Sequence, residues 1–200
     1  MTRQLVTMIS ALLALSLPGA PSAMPPQTEQ PRVRIETDLG SFEVALASDR
    51  APGTVANFLR YVDAGHYDGG RFHRTVTLQN QVRDDILIEV IQAGPNPSRG
   101  EDFAPIALER TRDTGLRHLD GAISMARGDP DTATGDFFIC IGEQPSLDFG
   151  GMRNADGQGF AAFGQVISGM GVVRRIHRSP ADEGENLLPP ITIVRISRAD

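Results

Sequence analysis

The chain has 200 residues, 40% hydrophobic and 22% charged, an ordinary globular composition that excludes a wholly disordered chain. A net charge of −6 gives no general attraction to phosphate backbones, so no nucleic-acid partner is expected. All 19 basic residues are arginine and there is one cysteine, which excludes a Schiff-base lysine, a P-loop lysine and an intramolecular disulfide.

Residues 1–23 (MTRQLVTMISALLALSLPGAPSA) carry one charge, Arg3, then an apolar stretch from Leu5 to Leu17, then small and turn-forming residues. This is the layout of a secretory signal peptide, with cleavage expected after Ala23. The apolar stretch is short for a transmembrane helix, and an uncleaved interfacial anchor is the alternative. Loss of Arg3 takes the net charge from −6 to −7. Residues 24–31 (MPPQTEQP) form a proline-rich linker, leaving 32–200 as a single exported domain. The acidic balance, the missing lysine and the missing disulfide point to a periplasm, with no stable membrane insertion after the signal is removed.

In the mature chain, Arg32–Leu39 and Ser41–Ala47 alternate apolar and polar residues, and Asp38-Leu39-Gly40 joins them as a hairpin. Pro52 suits a helix start and Gly65 its end, with Val55, Phe58, Leu59 and Val62 on one stripe. Strands are predicted at 71–76, 88–92, 121–127, 136–141, 160–167 and 191–197, and a second short helix at 169–177. Residues 78–87 and 149–159 are expected to be loops. Many short strands with two helices and no regular β-α alternation predict an antiparallel barrel or sandwich.

Little in this sequence points to bond-breaking chemistry. The four histidines lack metal-ligand spacing, and one cysteine cannot complete a zinc set, so no metal or cofactor is expected. Asn154-Ala155-Asp156-Gly157 lacks the bidentate glutamate of a calcium loop and is expected to be a polar turn. Ser124 and Ser146 have no nucleophile-elbow context. Cys140, between apolar neighbours, is expected to be a buried, inert thiol.

The chain nevertheless carries an ordered set of segments: Ala51-Pro52-Gly53-Thr54-Val55-Ala56-Asn57-Phe58, Tyr67-Asp68-Gly69, Phe72-His73-Arg74, Val90-Ile91-Gln92, His118 through Ala126 (HLDGAISMA), Phe137-Phe138-Ile139 and Phe163-Gly164-Gln165-Val166. In this order and spacing the chain resembles the cyclophilin family of peptidyl-prolyl cis-trans isomerases, from about Val33 to Ile196. The resemblance implies a closed antiparallel eight-stranded β-barrel capped by two α-helices, with a peptide groove on its outer face. It implies Arg74 as the catalytic arginine and Gln92 as the polar residue that orients it. Phe72, Val90, Phe138 and Leu147 fall at or near pocket positions for the proline ring. Ala126 falls on the groove floor, and Asp136 stands where an amide helps bind the peptide.

Other positions depart from the family pattern. Glu89 falls where a pocket aromatic is usual, Ser146 replaces the rim aromatic, Phe160 a histidine and Arg127 a small polar residue. Residues 78–87 and 149–159 are insertions, and the first follows the strand that carries Arg74, where it bears on access to the groove. The expected function is rotation of X-Pro bonds in exported, folding polypeptides by a monomer. The alternative is a module that binds proline-containing segments with little or no turnover. For Arg74 the competing structural reading is an ion pair with an acid on the barrel surface.

Overall fold

The computed structural model describes residues 30–199; the expected signal peptide (1–23) and most of the linker (24–31) lie outside the described residues. Eight strands form one sheet: β1 (Arg32–Thr37), β2 (Gly40–Leu46), β3 (Arg71–Val76), β4 (Val90–Gly94), β5 (Ala122–Met125), β6 (Phe137–Cys140), β7 (Ala161–Ser168) and β8 (Asn186–Ala199). Their spatial order is β1-β2-β7-β5-β6-β4-β3-β8, and β8 returns to β1, so the barrel is closed and every pairing is antiparallel. The helices are α1 (Pro52–Asp63), α2 (Thr111–Thr114) and α3 (Met170–His177). The eight-stranded barrel and the two longer helices match expectation; the four-residue α2 is an addition, too short to show a periodic stripe.

Local chemistry explains the elements. The β1–β2 hairpin buries Val33, Ile35, Phe42 and Val44 by simple alternation, and Gly40 takes φ +117°, open to glycine but strained for other residues. Helix α1 begins at Pro52 with no side-chain cap of its own. The carboxylate of Glu109 supplies one from across the fold, accepting from Gly53 N at 3.1 Å and Thr54 N at 2.7 Å. Val55, Phe58, Leu59 and Val62 of α1, and Val172, Val173 and Ile176 of α3, join the barrel core.

Apolar side chains divide into two clusters. The larger fills the barrel and the space beneath the helices, with Phe42, Phe58, Phe72, Ile91, Phe137, Ile139 and Phe163 at its centre. The smaller lies on the outer face: Val76, Ile88, Val90, Ala122, Phe138, Cys140, Leu147 and Phe160. Adjacent positions on β6 supply both, Phe137 inward and Phe138 outward.

An irregularity in β3 decides where Arg74 points. Phe72 pairs with Ala93 and Arg74 with Gln92, so His73 is an extra residue against β4. On the other side Phe72 pairs with Ile191 and Arg74 with Asn186, so the β8 stretch containing Pro189 and Pro190 loops out of register. Those prolines, which cannot donate to a ladder, hide the first part of β8 from a sequence-based strand prediction. With the bulge, Phe72 faces the interior and Arg74 the exterior, although both would share a face in a regular strand.

Phe72 is therefore a core residue and not, as the family resemblance implies, part of the proline pocket. It is fully buried, with its ring 6.3 Å from Phe42 and 6.0 Å from Phe137. Phe72→Ala is expected to cost about 3–5 kcal/mol in guanidinium denaturation, and a loss below about 1 kcal/mol would contradict this placement.

Candidate active site

A cavity of about 270 Å³ opens on the outer face, lined by Arg74, Ile88, Val90, Gln92, Ala126, Arg127, Phe138, Leu147, Arg153, Asn154 and Phe160. It is residue-sized, below the range of about 300–1,000 Å³ usual for drug-sized ligands. Its apolar wall is the outer cluster, with Phe160 edge-on to Phe138 at 5.3 Å. Of the residues singled out in the sequence, Arg74, Val90, Gln92, Ala126, Phe138 and Leu147 converge here. Phe72 lies in the core, and Asp136 lies behind Gln92 rather than on the cavity wall. Ile88, not Glu89, occupies the wall. Glu89 points the other way, its carboxylate 3.8 Å from His177 Nε2, because residues 88 and 90 share one side of the chain and 89 the other.

Arg74 is one-third exposed and held from two sides. Its Nε donates to Glu185 Oε2 at 2.7 Å, its Nη2 donates to the same oxygen, and its Nη1 donates to Gln92 Oε1 at 2.9 Å. A guanidinium carries five N–H groups, so these bonds leave one on each Nη. The pairing with an acid expected of a structural arginine is present, and the same side chain also lines an open cavity. Gln92 Nε2 donates to Asp136 Oδ2 at 3.2 Å, which extends the polar line Glu185–Arg74–Gln92–Asp136 across the outer face. His73 Nε2 lies 3.8 Å from Asp136 Oδ2. Burial raises the Asp136 pKa, with His73 and Gln92 pulling the other way.

Glu185 is the site residue that sequence reasoning missed. It is buried, adopts φ +69°, and accepts from Val82 N at 3.0 Å with the carboxylate oxygen not used by Arg74. A non-glycine residue at positive φ is uncommon and has to be held there. Asp182 Oδ1 does so by accepting from Gly184 N at 2.9 Å and Asn186 N at 2.8 Å, while Thr75 N donates to the Glu185 carbonyl at 2.9 Å. Nothing in the run Asp182-Glu183-Gly184-Glu185-Asn186 distinguishes the second glutamate from the first; only the partner 111 residues away does.

The two insertions meet at the cavity. Arg153 Nη1 donates to the Ile86 carbonyl at 2.6 Å and Gln81 Oε1 at 3.3 Å, and Arg83 Nη1 donates to the Arg153 carbonyl. Arg153 N donates to the Ser146 carbonyl at 3.1 Å, so the second insertion folds back over the position that lacks the rim aromatic. Ser146 itself does not line the cavity. Asp156, in the turn at 154–157, is paired with Arg127 at 2.8 Å, and the Arg127 hydrogen bond holds its carboxyl below the ordinary value.

Beneath Phe138 runs a buried Ser124–His118–Asp148 line. His118 Nδ1 is 2.7 Å from Asp148 Oδ1, His118 Nε2 is 2.9 Å from Ser124 Oγ, and the His118 ring stacks on Phe138 at 5.8 Å. Ser124 is fully buried, so this is a support for the pocket floor and not a nucleophile open to a substrate. Cys140 is buried too, and burial pushes its thiol well up. Among the described residues no cluster of histidine, cysteine or carboxylates has the geometry to hold a metal.

The sequence model for the cyclophilin type peptidyl-prolyl cis-trans isomerases matches residues 32–198. The chain is 37% identical over 145 residues to the peptidyl-prolyl cis-trans isomerase cyp18 of Streptomyces antibioticus, covering 72% of this chain and 81% of that one. It is also 37% identical to peptidyl-prolyl cis-trans isomerase A of Dickeya dadantii, covering 74% of this chain and 72% of the relative. A crystal structure of a Cryptosporidium parvum cyclophilin type peptidyl-prolyl cis-trans isomerase superposes with a TM-score of 0.70 at 23% identity, over 86% of this chain and 98% of that one. A second structure of that isomerase, in the presence of the dipeptide Ala-Pro, gives 0.69 over 84% of this chain and 99% of that one, again at 23% identity.

The Asp148 support predicts a pH dependence. Burial raises its pKa, but hydrogen bonds from the His118 ring and backbone, the His118 charge and the Arg117 hydrogen bond outweigh that and hold it low. A depressed carboxyl stabilises the fold above its unfolded value of about 3.9, and that contribution is lost as pH falls through the folded value. Asp148→Asn is expected to lower Tm by roughly 5 °C near neutrality, with the gap from wild type narrowing toward pH ~3. A gap independent of pH would show that the charge plays no part.

Proposed function

The chain belongs to the cyclophilin type peptidyl-prolyl cis-trans isomerase family, and we propose that it turns X-Pro bonds of exported, folding polypeptides using Arg74 as the catalytic group. Rotation about such a bond must break amide resonance against a barrier of about 20 kcal/mol. No bond forms or breaks, so the reaction needs neither a nucleophile nor a proton carrier.

In the twisted state the prolyl nitrogen loses conjugation and gains a lone pair. The Nη1 or Nη2 hydrogen that Arg74 does not spend on Gln92 or Glu185 would donate to it. The planar amide nitrogen accepts no such bond, so the interaction belongs to the transition state alone, as catalysis requires. The slot of Val90, Phe138, Leu147, Ile88 and Phe160 would hold the proline ring, which has no N–H to leave unpaired. Ala126 N already donates to the Asp136 carbonyl at 2.9 Å, so its carbonyl is the group left to pair with an extended peptide. The observation that carries the reading is the presence of the Arg74 guanidinium at the mouth of this apolar slot.

Glu185 favours a second reading. Its buried carboxylate neutralises Arg74 and accepts two of its N–H groups on one oxygen, which suits a module that grips proline segments with little turnover. A proline-limited peptide assay separates the two. Arg74→Ala is expected to lower kcat/KM by roughly 10²–10³, the usual cost of one transition-state donor. Turnover that survives Arg74→Ala would remove the arginine mechanism; wild-type binding without acceleration would establish the binding module.

Export rests on residues 1–23, with periplasmic delivery and a monomeric state proposed alongside it. Expressed in a Gram-negative host, the protein released by osmotic shock should begin near Met24 by intact mass. A chain that keeps Arg3 and stays with the membrane would indicate the anchor instead.

A further inference from the structure

Arg153 plays no part in the isomerase mechanism, yet it is the one arginine on the cavity wall without a carboxylate in salt-bridge contact among the described residues. Arg74 is paired with Glu185, and Arg127 with Asp156. Arg153 reaches only neutral acceptors, the Ile86 carbonyl and Gln81 Oε1, both through Nη1. Its Nε and Nη2 hydrogens make no hydrogen bond within the described residues. Two acids exert an attraction on it, but both are engaged. Glu185 gives one oxygen to Arg74 and the other to Val82 N, and Asp85 gives both oxygens to Arg83. Arg74 and Arg83 repel it. Asp136, the remaining carboxylate near the site, lies on the far side of Gln92 and off the wall.

The side chain is also held in place. Its backbone N–H is tied to Ser146, its carbonyl to Arg83 and its Nη1 to the first insertion. Burial first, then the charge of Arg74, lowers its proton affinity, but a guanidinium stays charged in proteins. A fixed, half-buried cation with open donors beside an apolar slot is half of a bidentate carboxylate site. A ligand that fills both carries a ring and an anion on one short backbone.

We propose that Arg153 is a specificity-determining residue that selects peptides bearing a carboxylate side chain immediately next to the isomerised proline. The proposal rests on the isomerase reading, applied to the same cavity. Its energy is made in the ground state and the transition state alike, so the preference belongs in KM rather than kcat.

The test uses the mature chain and two peptide series, with Glu, Gln or Lys placed either before or after the proline. The expected result is kcat/KM about tenfold higher for Glu than for Gln at one of the two flanks, carried by KM. That ratio should shrink severalfold between about 0.05 and 0.5 M salt. It should fall to near one in Arg153→Gln and be only partly kept in Arg153→Lys, which retains the charge but not the two-pronged donor geometry. The salt series on wild type does not depend on either variant folding. A Glu/Gln ratio near one at both flanks, or a ratio that persists in Arg153→Gln, would overturn the assignment while leaving turnover of neutral peptides as support for the isomerase reading. If no peptide is accelerated, the isomerase reading fails, and the same Glu/Gln ratio measured as Kd by calorimetry decides the role of Arg153.

Discussion

Arg74 reaches the cavity because β3 carries one residue more than β4 between Phe72 and Arg74. In a regular strand those two side chains would share a face, and the barrel would have to give up either its aromatic core residue or its exposed guanidinium. The bulge separates them. Phe72 joins Phe42 and Phe137 inside, and Arg74 lies beside Gln92 outside. The looped-out prolines of β8 make room for the same irregularity on the other side. A bulge next to a side chain is a common device for re-aiming it, and here it brings Arg74 within reach of Gln92 and Glu185.

Once aimed, Arg74 is held by residues distant in sequence. Glu185 at the head of β8 grips it from one side and Gln92 of β4 from the other. The same carboxylate also takes the Val82 backbone, so the first insertion is anchored through the residue that holds the arginine. The second insertion is anchored through Arg127 and Ser146. Where the family pattern has one aromatic at the rim, this chain has two interlocked loops, the second of which brings Arg153 and Asn154 to the cavity wall while the first braces Arg153. The departures at positions 127, 146 and 160 and the two insertions thus belong to one rearrangement: Arg127 binds the second loop, Ser146 is covered by it, and Phe160 closes the pocket floor.

Much of this is legible in the sequence. Alternation in the first hairpin, the stripe of α1 and the order of the short motifs are enough for the barrel, because each depends on neighbours a few residues apart. Arg74, Val90, Gln92, Ala126, Phe138 and Leu147 are found through motif resemblance, and they do converge. The misplacements share a physical origin. Motif matching puts Phe72 on the wrong face because a bulge changes strand parity and leaves no mark in composition. It puts Glu89 in the pocket, in place of Ile88, because an insertion shifts the frame by which positions are matched. Glu185 and Glu109 escape it because a carboxylate that caps a helix or clamps an arginine across the fold carries no local signal; its partner is 111 residues away in one case and 55–56 in the other.

The closed pairing of β8 with β1 has a consequence for how this barrel meets other chains. An open sheet presents a row of unpaired amide groups, and any unfolded strand that drifts past is invited to zip onto it. A cylinder with its seam stitched offers no such row. An extended chain that drifts past finds that hydrogen-bonding rim already used on itself.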